Sequence, residues 1–247
     1  MSNLLVNTRD QQFVLYEQLG IENIFKAKYA DYTKETVDMM LTEAEKMALE
    51  VLLPTYVDGD REGCTFKDGK VSVPKSFHHA FRKFVEAGWQ CAMRDPEVGG
   101  QGMPTSVATA CFEPFQAANY PLIMYPMLTT GAASLIEDFG TEEQKNKYMY
   151  KMYSCEWAGT MCLTEPGAGT DVGALKTTAK KLPDGTYSIT GTKIFISGGD
   201  HDLCPNIIHP VLARIEGDSP GTKGISIFIV PKYRINDDGS LGEFNDV

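Results

Sequence analysis

The sequence contains no run of eighteen consecutive apolar residues, and no basic stretch followed by an apolar core at its start, so neither a membrane-spanning helix nor a secretory signal is expected. It contains no C-x-x-C pair. Its six cysteines (Cys64, Cys91, Cys111, Cys155, Cys162 and Cys204) are scattered, and a chain of 247 residues needs no disulfide framework, so reduced thiols are expected. Positive charge is in deficit: Lys and Arg number 23 against 33 Asp and Glu, a net charge of -10, which argues against a nucleic-acid or anionic-membrane surface as principal partner. An anionic cofactor held by backbone groups stays compatible with that balance. Also lacking are a Walker loop, a Rossmann G-x-G-x-x-G, a Ser-His-Asp or Cys-His nucleophile pattern and any internal repeat. His201, Cys204 and His209 lie at H-x2-C-x4-H spacing without a fourth ligand, so no metal is expected. With 43% hydrophobic and 23% charged residues, the chain reads as a soluble, cytoplasmic globular protein of one large or two small domains.

Against those absences stands one unusual stretch, residues 161–175, MCLTEPGAGTDVGAL. An apolar run stops at Thr164-Glu165-Pro166 and opens into Gly167-Ala168-Gly169-Thr170-Asp171. Pro166 fixes one backbone angle, and two glycines two apart permit positive φ and bring bare N–H groups against an anion or a flat heterocycle. The hydroxyls of Thr164 and Thr170 flank them as hydrogen-bonding groups for the same ligand. On pattern alone, a strand end with a Gly-Pro turn remains an equal reading.

The remainder divides by periodicity. An amphipathic helix or packing arm spans residues 9–19, and a core-facing helix follows in residues 33–53, where Val37, Met40, Leu41, Ala44, Met47, Ala48 and Val51 recur at helical spacing and Pro54 ends the run. Residues 66–71 carry a turn between short extended pieces, and Pro74 starts a helix with Phe77, Phe81, Phe84 and Val85 on one face and Gly88 past its end. The glycine-rich loop of residues 96–102 is structural; Pro104 starts a helix to about Asn119, residues 122–139 form another ended by Gly140, and Thr141 to Gln144 make a capping box for a last one ending near Met152. After Trp157 short alternating runs bounded by turns indicate antiparallel β structure: a hairpin turn over residues 181–187, a strand over 207–215 and a nearly all-apolar, buried strand over 224–231. The domain boundary falls near Ser154, giving residues 1–154 as a helical domain with a leading arm and 155–247 as a β-domain.

Residues 161–171 resemble the flavin signature of the acyl-CoA dehydrogenase family, Thr-Glu-Pro-Gly-Ala-Gly-Ser-Asp, with Thr170 where the family has Ser. The run GTKIFISGG, residues 191–199, is similar to the family's second signature, which ends a later strand. The longer bacterial branch that includes the 3-methylmercaptopropionyl-CoA dehydrogenases also resembles this chain at GDREGC (59–64), at residues 200–209 and at GTKGISIFIVPK (221–232). The resemblance implies an α+β fold: an N-terminal all-α domain, then an antiparallel, β-barrel-like middle domain that is incomplete here, with the family's C-terminal four-helix bundle absent. It implies FAD as cofactor and oxidation of acyl-CoA to the 2,3-enoyl-CoA, with hydride passing to the flavin and electrons on to an electron-transfer flavoprotein. Met161, Leu163, Thr164, Gly169, Thr170, Phe195, Ile196 and Ser197 are then expected to bind the cofactor. Phe195 stands in the place of a shielding Trp and Ser197 in that of a Thr donor near the reactive ring. From the residues alone, Phe195 reads as an inward strand residue. Tyr125, Met127 and Leu128, with Thr170, occupy the expected substrate position, although helical Met and aromatic residues serve equally as plain core. The resemblance places the general base in the missing bundle, so no catalytic residue is expected here. The chain then reads as a fragment, inactive alone, of a homo-oligomeric parent. The alternative is a non-catalytic flavin or acyl-CoA binding module.

Overall fold

The computed structural model describes residues 5–247 of the chain, which form two compact units divided between Met124 and Tyr125. In the first, α1 (Thr8–Gln12) starts at Asn7, whose side chain accepts the N–H groups of Arg9 and Asp10. After α2 (Ile21–Lys28) comes α3 (Lys34–Met47), started by the Thr33 hydroxyl on the Thr36 N–H at 3.2 Å and buried along Val37, Leu41 and Ala44. That spacing is one face of a helix, so burial and pattern agree. Residues 56–62 form α4 (Tyr56–Glu62), and its Gly59 is where Phe77 packs: a Cβ there would lie 2.6 Å from the ring. The hairpin β1 (Thr65–Lys67) and β2 (Lys70–Ser72) follows, turning through left-handed Asp68 and Gly69. Helix α5 (Lys75–Glu86) then buries Phe77, Ala80, Phe81 and Phe84. Phe84 and Trp89 meet Phe115 edge-on at 5.1 and 5.0 Å, and these aromatics anchor the core of this unit.

Helix α6 (Thr105–Phe139) is broken at Asn119, where φ is -159° and ψ 80°. The Asn119 amide donates to the Thr55 hydroxyl at 2.8 Å, and its oxygen accepts the Leu122 N–H at 3.1 Å, capping the second stretch. Two sequence-predicted helices thus meet without an intervening loop.

In the second unit, α7 (Glu142–Gln144) opens with the expected capping box of Thr141 and Gln144, and the helical path runs on to α8 (Tyr150–Tyr153). The sheet comprises β3 (Ala158–Gly159), β4 (Thr178–Lys181), β5 (Tyr187–Thr190), β6 (Ile207–Ile215) and β7 (Ile225–Pro231); β8 (Tyr233–Ile235) and β9 (Leu241–Phe244) form a separate hairpin. The five-stranded sheet is organised around β6. One edge of β6 pairs antiparallel with β7; the other pairs in parallel with β3 at Ile207 and Ile208 and with β4 at Arg214 and Ile215. Trp157, Tyr153, Met152, Ile207 and Ile208 are fully buried and make the core of this unit.

The α+β class and the order of helices before sheet are as the sequence implies. Two details differ. Among the described residues the sheet does not close into a barrel, and the parallel pairings of β3 and β4 stand where antiparallel structure is expected. Strand β7 is half-exposed along its length rather than buried, because β6 is its only strand neighbour among the described residues. No helix among the described residues is long and apolar enough to cross a membrane.

Candidate functional site

The first motif hangs from the parallel edge of β6. The N–H groups of Ala158, Thr160 and Cys162 donate to the carbonyls of Asn206, Ile208 and Pro210 at 2.9, 3.1 and 2.8 Å, and Leu212 returns a bond to the Cys162 carbonyl at 3.1 Å. Alternation along an extended chain turns Gly159, Met161 and Leu163 the other way. The Gly159 N–H finds the Thr129 hydroxyl at 3.0 Å. Those of Met161 and Leu163 form no hydrogen bond among the described residues, so two donors line a free strand edge at the motif's start.

At Thr164 the chain leaves β6, and at Thr177 it returns to the same edge, where Arg214 donates to the Thr177 carbonyl at 3.0 Å. Paired bonds between Glu165 and Ala168, at 2.8 and 3.2 Å, close the tight turn at Pro166-Gly167. The positive φ that Gly167 and Gly169 permit is not used: neither is left-handed. Their lack of a Cβ instead leaves space, since a Cβ on Gly167 would touch nothing within 4 Å and one on Gly169 only Thr164 Cγ2 at 3.7 Å.

Glu165 ties the excursion shut. Its carboxylate accepts the Lys176 N–H at 2.6 Å, the Thr177 N–H and hydroxyl at 3.0 and 2.5 Å, and the Lys193 ammonium at 2.8 Å. Burial alone would raise its pKa, but Lys193, the Thr177 hydroxyl and the two N–H groups outweigh it and hold the group at about 2. Lys193 also donates to the Leu163 carbonyl at 3.0 Å, and the Ile194 N–H to the Thr164 carbonyl at 2.9 Å, so the two motifs lie side by side. The side chains of Lys193 and Glu165 are 9% and 6% exposed.

The second motif does not end a regular strand. β5 stops at Thr190, and residues 191–196 stay outside the sheet. Phe195 is left-handed, with φ 57°, and the residue is 89% exposed rather than turned inward. A bulky residue held at positive φ with its ring in solvent points to a function. Ser197 is exposed next to it and Ile196 half-buried, with the Gly199 N–H closing a turn on the Ile196 carbonyl at 3.0 Å. Gly198, left-handed at φ 63°, sits on the Tyr125 ring, 3.4 Å from where a Cβ would be, with Leu128 at 3.9 Å. Tyr125 in turn meets the His201 ring edge-on at 4.8 Å. Tyr125 and Leu128 therefore support the turn at the end of the second motif, while Met127 faces outward and Thr170 is exposed on the first loop.

Asp200 accepts the His201 N–H at 2.9 Å and pairs with Lys232, fixing the far end of the second motif. The His201 ring nitrogen Nδ1 accepts the Leu203 N–H at 3.2 Å, whereas His209 Nδ1 lies 2.7 Å from the Thr160 hydroxyl and 3.9 Å from Cys162 Sγ. The two histidines serve different partners. Burial pushes both down to about 4, so both are neutral at pH 7. Sequence reasoning did not assign Glu165 or Lys193. Their available signal was opposite charge inside two otherwise apolar or glycine-rich motifs.

Two family models match the chain: the acyl-CoA dehydrogenase N-terminal domain over residues 34–156 and the acyl-CoA dehydrogenase middle domain over residues 160–239. A butyryl-CoA dehydrogenase of Syntrophomonas wolfei is 40% identical over 253 residues, covering 99% of this chain and 41% of the relative. The 3-methylmercaptopropionyl-CoA dehydrogenase of Ruegeria pomeroyi is 37% identical over 217 residues, covering 88% of this chain and 37% of the relative. The chain thus spans about 41% of the length of the first of these curated relatives. Among solved structures, an acyl-CoA dehydrogenase from Bacillus anthracis complexed with FAD superposes with a TM-score of 0.63 at 27% identity, over 83% of this chain and 32% of that one. With both domain models in sequence order and both motifs meeting at Glu165, the chain belongs to the acyl-CoA dehydrogenase family.

Proposed function

We propose that this chain is the cofactor-cradling N-terminal and middle portion of an FAD-dependent acyl-CoA dehydrogenase, divided into residues 1–154 and 155–247. The observation that carries the reading is the meeting of the two motifs, with Ile194 bonded to Thr164 at 2.9 Å, beside the open donor edge of Met161 and Leu163. The residues suit a flavin. Two unpaired N–H groups and the Thr164 hydroxyl match the polar edge of a flat heterocycle, the exposed Phe195 ring offers it an apolar face, and Ser197 supplies a donor. Gly169 and Thr170, on the open loop, extend this surface, and Ile196 backs it.

Bound FAD would accept the hydride removed from the acyl chain. This chain's residues bind and orient. Met161 and Leu163 donate along the strand edge, Phe195 shields a ring face from water, and Ser197 places a hydroxyl where negative charge builds up on reduction. Glu165 is no general base: a carboxylate held at about 2 by four donors has little affinity for a proton near neutrality. The base is assigned to the part of the relatives' length that this chain does not span. Thr170 with Tyr125, Met127 and Leu128 is assigned to the acyl-CoA side. An electron-transfer flavoprotein as redox partner, a cytoplasmic location and a homo-oligomeric parent complete the reading.

The test is the absorbance spectrum of the purified chain with and without FAD, followed by anaerobic titration with acyl-CoA esters. A bound flavin that stays yellow is the expected outcome. Robust bleaching by acyl-CoA would overturn the assignment of the base elsewhere.

A further inference from the structure

We infer that Lys193 is a positioning residue: its buried ammonium, held on Glu165, sets the register between the two motifs and so shapes the cofactor surface. The inference rests on the flavin reading and goes beyond it by assigning a role to a residue outside the surface that touches the ligand.

Three separate segments converge on one carboxylate. Residues 163–165 carry it, residues 176 and 177 donate to it as the loop returns to β6, and Lys193 donates from the second motif. Only the first two are otherwise fixed by the sheet, since Cys162 and Thr177 both bond to β6. Among the described residues the second motif has no strand neighbour between β5 and Gly199; its hydrogen bonds to the first are the Ile194 N–H on the Thr164 carbonyl and the Lys193 ammonium on Leu163 and Glu165. Bridging the Leu163 carbonyl and the Glu165 carboxylate, at 3.0 and 2.8 Å, fixes Lys193 in two directions at once, so residue 194 cannot slide along 164 without breaking one of them. A buried ion pair is weak as a source of net stability and best suited to fixing register. Phe195, two residues beyond Lys193, stays left-handed and exposed to solvent, and nothing in its own packing holds it there. Lys193 acts through Phe195 and Leu163, and touches no ligand itself.

The deciding experiment compares amide hydrogen exchange and FAD titration of the purified chain with those of Lys193→Met, the double variant Glu165→Gln/Lys193→Met, and Ile208→Val as a control that trims the same sheet. In Lys193→Met the Ile194, Lys176 and Thr177 amides are expected to exchange about tenfold faster, with the β6 amides of Leu212 and Arg214 unchanged. In the double variant no buried charge is left unpaired, and the one acceptor oxygen that Glu165→Gln keeps serves the two Thr177 donors, so Thr177 recovers protection while Lys176, now facing the amide NH2, and Ile194 stay fast. FAD dissociation constants are expected to rise about tenfold in both Lys193 variants and to stay put in Ile208→Val, where a purely structural loss would act equally. Unchanged exchange at Ile194 overturns the inference, as does a wild-type FAD affinity in the double variant. If the wild-type chain binds no FAD, the flavin reading fails, and exchange at Ile194 still decides whether Lys193 sets the register.

Discussion

Acidification from pH 7 to pH 4 is expected to unfold the sheet-bearing unit through two side chains, His201 and His209. Both are buried, and burial holds each at about 4 against an ordinary 6.5. Asp200 pulls the other way on both and Lys232 reinforces the depression. In the window from 6.5 to 4 the unfolded chain therefore binds protons that the folded chain refuses, so stability is complete above 6.5 and falls with pH. A depression of that size corresponds to about 3 kcal/mol for each histidine, roughly 6 kcal/mol together, comparable with the whole stability of an ordinary domain. In the steep part the loss is about 2.7 kcal/mol per pH unit. Urea unfolding followed by circular dichroism from pH 8 to 4 measures it directly. His209→Gln, which keeps a neutral polar group near Thr160, should halve the slope to about 1.4 kcal/mol per unit. A slope that is flat between pH 6.5 and 4.5, or unaltered in that variant, would refute the reasoning. Glu165, held at about 2, separates from this cleanly: its contribution is complete above its unfolded value of 4.5 and is lost only as pH falls toward 2.

Phe195→Gly should leave stability within about 0.5 kcal/mol of wild type or raise it, since the ring buries almost nothing and glycine relieves the left-handed strain, while weakening FAD binding about tenfold. Equal losses of stability and affinity would contradict a ligand-facing role. Gly159→Ala would put a methyl 2.7 Å from Met152 Cε and 2.8 Å from Ala132 Cβ, against the donor that reaches Thr129. A loss of about 1–3 kcal/mol in urea unfolding is expected, and a neutral result would mean that α6 can move away from β3.

The legible parts of this fold were those set by neighbours in sequence. The spacing of Val37, Leu41 and Ala44 marks α3, the Thr141 and Gln144 pair marks the start of α7, and a turn at Pro183-Asp184-Gly185 marks the β4–β5 hairpin. The parallel pairings were not legible, because nothing local in Ala158 or Thr178 says that Ile207 and Arg214 will lie beside them. In the site, both motifs could be located by residue type, but not the conformations within them. Gly167 and Gly169 serve by leaving space, and positive φ falls instead on Gly198 and on Phe195, the latter a residue type that gives no warning of it. Glu165 and Lys193 were hidden for another reason: each is a charged residue whose meaning comes only from a partner 28 positions away.

The dependence of both β3 and β4 on β6 carries a consequence for synthesis on the ribosome. β3 and β4 do not pair with each other, so the loop between them has no fixed base until Ile207–Ile215 has emerged. For the roughly fifty residues of elongation that separate Ala158 from Ile207, the first motif is an unanchored segment, with its glutamate not yet beside its lysine and its glycines free. The proposed cofactor surface is therefore completed late, when a single strand arrives and supplies an edge to both β3 and β4.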